Sequence, residues 1–271
     1  MGDVKRVPGV SISAWSAVLA LALLAGCSTT AKDETAGMSN EKLYSEARDE
    51  AAAGNYERAI RFYERLEGRA AGTLLSQQAQ LELAYAYYRG NERAQALATL
   101  DRFIKLHPGS PALDYALYLR GLVNFNDNLG LFGSLSRQDL SERDQQAAKE
   151  AYQSFKQLVE QFPASTYASD ARLRMNYIVN SLAAYEVHVA RYYYRRGAYL
   201  AAANRAQAAV QGYQESPAIE EALYIMARSY ERLGLTQLRD DAERVLKTSF
   251  PDSAYLTRGF QAKDKPWWQL W

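Results

Sequence analysis

Residues 77–108 read QQAQLELAYAYYRGNERAQALATLDRFIKLHP, and the fold follows from this stretch. Apolar residues recur at helical spacing in two runs: Leu83, Ala84 and Tyr87, then Ala96, Leu100 and Phe103. Gly90 separates the runs and Pro108 closes the second, so the sequence writes two helices joined by a tight turn. Small residues, Ala84 and Ala96, fall where two antiparallel helices must approach, while Tyr87 and Phe103 are large enough to fill the gap to a neighbouring pair.

This spacing is that of the tetratricopeptide pattern, and four more units share it. In the first, Ala47 faces Ala59, with Gly54 and Tyr56 at the turn. The third repeats the second at Ala151, Phe155, Leu158 and Pro163. The fourth has Ala190, Tyr193, Gly197, Ala202, Ala206 and Ala209, with Pro217 displaced by three residues. A fifth carries Ala227, Tyr230, Gly234 and Pro251, but puts Arg239 and Glu243 where apolar residues belong. Gly90, Gly197 and Gly234 are assigned the positive backbone angle that ends a helix. A Pro-x-Ser step recurs at 108–110, 163–165 and 251–253, with the Ser as N-cap. Pro217 to Pro251 spans 34 residues, one unit, whereas Pro108 to Pro163 spans 55 and Pro163 to Pro217 spans 54. The surplus lies in a Gly-rich insertion at 126–145 and in a long helix from about Thr166 to Arg196. No alternating strand pattern of useful length occurs. The expected fold is all-α, a superhelical solenoid of five helix hairpins over residues 41–251.

Ahead of the repeats, Lys5 and Arg6 precede a fifteen-residue apolar segment, Val10 to Leu24. That is shorter than the roughly 20 residues a membrane-spanning helix needs, and it has the form of a secretory signal over residues 1–26. The boundary Leu24-Ala25-Gly26-Cys27 resembles the bacterial lipobox, in which the cysteine is acylated and becomes the first mature residue; Ser28 after it resembles lipoproteins sorted to the outer membrane. Cys27, the single cysteine, has no partner for a disulfide within the chain. Residues 27–40, polar and nearly free of apolar side chains, read as a lipidated tether. Residues 252–271 form a tail ending in three tryptophans, read either as a cap for the last helix pair or as an anchor for a partner. Without residues 1–26 the chain has 30 basic and 30 acidic side chains, which argues against nucleic acid as a partner.

A search for chemistry returns no phosphate-binding loop, no Gly-x-Ser-x-Gly and no His-Glu-x-x-His. The two histidines stand apart, His107 at a helix end and His188 within the long helix, so no metal and no cofactor beyond the lipid is expected. Glu220-Glu221 and Asp240-Asp241 read as solvated helix faces rather than as an acid and base pair. The tyrosine-rich run 191–199 reads as packing and groove lining, with Arg191, Arg195 and Arg196 capping and solvating the helix end. Nothing here is an enzyme's constellation. A helical domain of a cell-wall lytic enzyme would need an appended catalytic domain, and only twenty residues follow Pro251.

Three stretches carry a closer resemblance. DRFIKLHPGSPALDYALYLRGL (101–122), DLSERD (139–144) and AAYEVHVARYYYRRGAY (183–199) resemble the BamD (ComL) family, lipoproteins of the outer-membrane β-barrel assembly machine. Asn204-Arg205 falls where that family has an Asn-Arg pair. The chain departs from the family at 68–78, where GRAAGTLLSQQ replaces an aromatic link, and in its Trp-rich tail. The resemblance implies a non-enzymatic scaffold lipid-anchored at the periplasmic face of the outer membrane. Its partners would be the periplasmic transport domains of a BamA-type barrel subunit, accessory lipoproteins of the same machine and unfolded outer-membrane substrates. Partner-binding residues implied are Arg205, Asn204, Tyr185, Glu186, Asp139 and Arg143. Helical geometry independently sets Arg205 about 60° off the Ala202–Ala206–Ala209 stripe, at the edge of the packed face, where its fork points out or meets a carboxylate of the same chain. The rival reading in the same class is another periplasmic repeat lipoprotein serving cell-wall or envelope-spanning complexes.

Overall fold

A computed structural model describes residues 34–125 and 145–262. Ten helices form five antiparallel hairpins among these residues: α1 (Asn40–Ala52) with α2 (Tyr56–Arg69), α3 (Leu74–Arg89) with α4 (Arg93–Leu106), α5 (Leu113–Asn124) with α6 (Gln145–Gln161), α7 (Ala168–Arg195) with α8 (Tyr199–Gly212), and α9 (Ile219–Arg232) with α10 (Thr236–Ser249). A short α11 (Ala254–Arg258) and a 3₁₀ turn (Gly259–Ala262) follow. No strand occurs among the described residues. The surplus of the fourth unit is the 28-residue α7, as the sequence indicates; the insertion of the third, with Asp139 and Arg143, lies outside the described residues.

The expected small residues are where the helices meet. Ala47 and Ala59, Ala84 and Ala96, and Ala190, Ala202 and Ala206 are all fully buried. The apolar interior is three overlapping clusters rather than one. The first runs from Leu43 to Val123, the second joins α5, α6 and α7 around Phe155, and the third spans α7 to α10. Ile104 touches the first two and Tyr213 the last two, so each hairpin is continuous with its neighbours. Because Ala96 has no free surface, Ala96→Leu forces three extra carbons into a filled seam and is expected to cost about 1–3 kcal/mol. A melting temperature equal to that of the parent chain would show that the seam lies elsewhere.

Two details of the turns differ from expectation. The left-handed position after the first helix of a hairpin is held by Gly54 (φ 82°), Gly197 (φ 78°) and Gly234 (φ 73°), but in the second hairpin by Asn91 (φ 65°). Gly90 sits one residue earlier at φ −75°. Asn tolerates this region because its short amide bonds locally, and Gly90 instead admits the neighbouring hairpin, a Cβ there falling 3.6 Å from that of Tyr56. The serine steps also differ. Ser110, Ser165 and Ser216 lie two residues ahead of the N-cap, and only Ser253 is an N-cap itself. All four make the same turn, the N–H donating to the carbonyl three residues back at 2.9–3.0 Å and Oγ accepting from the N–H two residues on at 3.2–3.3 Å. Ser216 was hidden because no proline precedes it by two. Pro217 occupies the place of Pro111 rather than that of Pro108, and the serine turns are spaced 55, 51 and 37 residues apart.

The ends of the body extend past 41–251. Residues 34–38, within the expected tether, are fixed on α2: Arg58 pairs with Glu34 at 3.1 Å, Arg65 Nε donates to Thr35 Oγ1 at 3.1 Å, and Arg69 donates to the carbonyls of Thr35 and Met38 at 2.9 and 3.1 Å. At the other end Phe260 lies 4.9 Å from both Tyr194 and Tyr224, and Tyr255 lies 5.3 Å from Tyr224, so residues 254–262 cover the first helix of the last hairpin. The three tryptophans at 267, 268 and 271 lie outside the described residues. The misfit residues of the fifth unit are accommodated by charge: Glu243 pairs with Arg228 and with Lys247 at 3.7 Å, and Arg239 with Asp240.

Candidate docking surface on the fourth hairpin

Four of the sequence-selected residues meet on α7 and α8. Ala183, Val187 and Ala190 turn inward on α7, and Ala202, Ala206 and Ala209 on α8, which sets Glu186 and Arg205 at the lip of the seam between them. Arg205 Nη1 donates to Glu186 Oε2 at 3.1 Å and to Oε1 at 3.5 Å. Glu186 is the inner partner, its side chain 12% exposed against 46% for Arg205. The hydrogen bond and charge of Glu186 raise the Arg205 pKa, with Tyr185 and Tyr193 adding to it. Tyr185 is half-buried beside the pair and Asn204 is exposed. The alternative anticipated for Arg205, an ion pair inside the chain, is therefore present.

The pair leaves chemistry to spare. Arg205 has five N–H donors and, among the described residues, its hydrogen bonds run from Nη1 alone, so the other edge of the fork remains for an acceptor approaching from solvent. Glu186 fixes the guanidinium at the lip and thereby orients that edge. Sequence reasoning passed over Leu200, 60% exposed and one turn before Asn204, and Tyr192, 49% exposed. Leu200 was legible as the apolar residue diametrically off the Ala202 stripe, a place where solvation alone selects polar side chains.

Two readings of the charged residues need correction. Arg191 does not solvate the helix end, because its Nε donates to Glu221 Oε1 at 2.5 Å across to α9. Glu220-Glu221 is likewise no solvated face: Glu221 is buried, 5% exposed, and Glu220 accepts from Ser253 Oγ. Both carboxylates lie in the first turn of α9, where they tie it to the hairpin before and the segment after. Asp240 is exposed and Asp241 half-exposed, and they pair with Arg239 and Arg244. His107 ends α4 with its ring 5.1 Å from Phe103, and His188 is exposed on α7. Among the described residues no three His, Cys, Asp or Glu side chains gather at metal-ligand distances, and no helix is long and apolar enough to cross a membrane. The link between α2 and α3 is short, Ala70 to Thr73, with Thr73 Oγ1 accepting from the Ser76 N–H at 3.1 Å. Cys27 lies outside the described residues.

Comparison with known proteins gives a consistent picture. Residues 36–246 match the family model YfiO, described as outer membrane lipoprotein. The outer membrane protein assembly factor BamD of Neisseria meningitidis serogroup A is 49% identical over 93% of this chain and 96% of its own length. That of Vibrio cholerae is 36% identical over 86% of this chain and 96% of its own. Among solved structures, the MamA protein matches with a TM-score of 0.35 at 15% identity, covering 84% of this chain and 96% of MamA. A model match over more than half of the chain, together with near-complete coverage of a relative at 49% identity, decides the matter: the chain belongs to this family of outer membrane lipoproteins.

Proposed function

We propose that the protein is a non-catalytic scaffold in the assembly of outer-membrane proteins, held to the periplasmic face of the outer membrane by a lipid on Cys27. The observation that carries this reading is the 49% identity to an outer membrane protein assembly factor across nearly the whole of both chains. In this reading the lip of the fourth hairpin, with Arg205 at its centre and Asn204, Tyr185 and Glu186 around it, docks on a carboxylate of the barrel subunit's periplasmic transport domains. Asp139 and Arg143 of the third-unit insertion add to partner binding, and accessory lipoproteins and unfolded substrates complete the set of partners. A stack of hairpins suits such a task, since it presents a long surface without needing a catalytic pocket.

The reading is tested by co-purification from gently solubilised outer membranes, in which the barrel subunit should accompany this chain in stoichiometric amount. Recovery with cell-wall enzymes instead would overturn it. The anchor has its own test. Several acyl chains hold a protein far more firmly than one, at about 0.8 kcal/mol per buried methylene. Cys27→Ser should therefore leave the chain unprocessed or release it from outer-membrane fractions while its helical signal is unchanged. A free thiol at residue 27 of the wild-type chain, seen by mass spectrometry, would remove the anchor from the proposal.

A further inference from the structure

The last hairpin lacks the cover that the others have. Each of the first four is closed by the first helix of the next hairpin, 12 to 28 residues long, packed against its second helix. After α10 that place falls to α11, five residues that lean on α9, and to the 3₁₀ turn behind it. A cleft of about 310 Å³ is left between α9, α10 and α11. That is about twice the size of a protein cavity that holds benzene, about 150 Å³. Ala227 of α9, Leu246 of α10 and Leu256 of α11 give the cleft apolar walls, Tyr224 adds a ring, and Arg228 and Lys247 add positive charge. The charges already answer one another. Arg228 Nη1 donates to Glu231 Oε2 at 2.9 Å and Nη2 donates to Glu243, which also pairs with Lys247 at 3.7 Å. An anion entering the cleft would have to compete with two carboxylates that are in place. An aromatic ring would not, since it gains from apolar walls, from a neighbouring ring and from the flat face of a cation. Arg228 meets one ring in this way, its Cζ 5.7 Å from the centroid of Tyr224.

The chain brings such rings to the place. Residues 263–271 read KDKPWWQLW, in which Trp267, Trp268, Leu270 and Trp271 are large and apolar. Gly259 lines the cleft and Ala262 is three residues further on, so this segment starts within about 10 Å of the opening. Trp267 follows Ala262 by five residues, a reach of about 17 Å, and the four residues between them suffice for a reversing turn. We infer that residues 263–271 turn back on the last hairpin and seat an indole ring in the cleft between α9, α10 and α11, so that the chain caps its own array. A stack of hairpins needs such a cap, because its last seam otherwise faces water. The inference uses nothing of the Arg205 surface or of the role in assembly, so each can fail alone.

The test is tryptophan fluorescence. Trp15 falls in the signal segment, and the mature chain carries tryptophan at 267, 268 and 271 only, so its emission reports on this segment alone. Acrylamide quenching is measured on the full mature chain in detergent micelles and on the peptide 263–271 in the same detergent. The chain should be quenched about twofold less than the peptide, with its emission shifted to the blue. Leu256→Asp, which puts a charge on an apolar wall, should bring quenching to the level of the peptide. Lys247→Glu should do the same, and it decides the matter if the first variant does not fold, because the Lys247 side chain is 63% exposed. Val245→Asp is the control. Val245 is exposed about 160° around α10 from Lys247, and its replacement should leave quenching unchanged. Quenching of the wild-type chain equal to that of the peptide overturns the inference and leaves the tail to a partner. Shielding that survives both cleft variants, or is lost with Val245→Asp, also overturns it by placing the rings elsewhere. Shielding that grows with protein concentration would make the occupant the tail of a second copy and overturn the self-cap.

Discussion

Leucine in place of Gly121 is expected to destabilise the array by about 3 kcal/mol or more, at the upper end of what overpacking costs. Gly121 lies within α5, where any other residue except proline would ordinarily favour the helix by up to about 1 kcal/mol. Here that preference is overruled by a ring. A Cβ built on Gly121 would fall 2.3 Å from Phe155 Cε1 and 2.6 Å from Cδ1, and Phe155 is fully buried between Tyr118 and Phe125. The ring has nowhere to go. Phe155→Ala by itself should cost about 3–5 kcal/mol through the cavity it leaves. Combined, the two substitutions should cost clearly less than their sum, because the leucine enters the volume that the ring vacates. The measurement is chemical denaturation of the four chains. Additive losses would mean that the two residues do not share a contact, contrary to the geometry.

The second large effect belongs to the proposed complex rather than to the fold. Arg205→Ala is expected to weaken association with the barrel subunit by well over tenfold, the loss of a desolvated charge pair being worth about 2–5 kcal/mol. The same substitution should hardly touch the isolated chain. Arg205 is 46% exposed, and its pair with Glu186 contributes at most about 1 kcal/mol in that setting. This difference in scale makes the experiment decisive. Arg205→Lys should recover part of the affinity, since it keeps the charge but loses the planar fork. An undiminished pull-down, or a loss that follows a lowered melting temperature, would make Arg205 a structural residue only.

Which parts of this molecule were legible in advance follows from range. Ala84, Ala96 and Phe103 announce their hairpin because helix period and residue size are local properties, written within thirty residues. Asn91 was missed because the left-handed position is set by where α3 ends, and a glycine one residue earlier drew the assignment to itself. Ser216 shows the same weakness, its turn being defined by hydrogen bonds that Pro217 only decorates. Long-range pairs were harder still. Nothing near Glu221 in the chain tells that Arg191, thirty residues back, will neutralise it, so an acidic dipeptide on a helix looked solvated. The proposed docking residues came forward partly by geometry, which placed Arg205 at an edge, and partly by resemblance. The bond to Glu186 depends on how α7 and α8 align, and spacing within either helix is silent on that.

The three arginines that pin residues 34–38 to the first hairpin set a length. If the lipid sits on Cys27, only seven peptide steps separate it from Glu34, and a chain of that length reaches at most about 25 Å. The first hairpin is then confined to a thin shell beside the bilayer, and any site it carries meets membrane-bound partners at the raised effective concentration of a short leash. Releasing the pinned residues by replacing Arg58, Arg65 and Arg69 would lengthen the leash while leaving the lip of the fourth hairpin as it is. A machine built on such a part would feel that change as dilution.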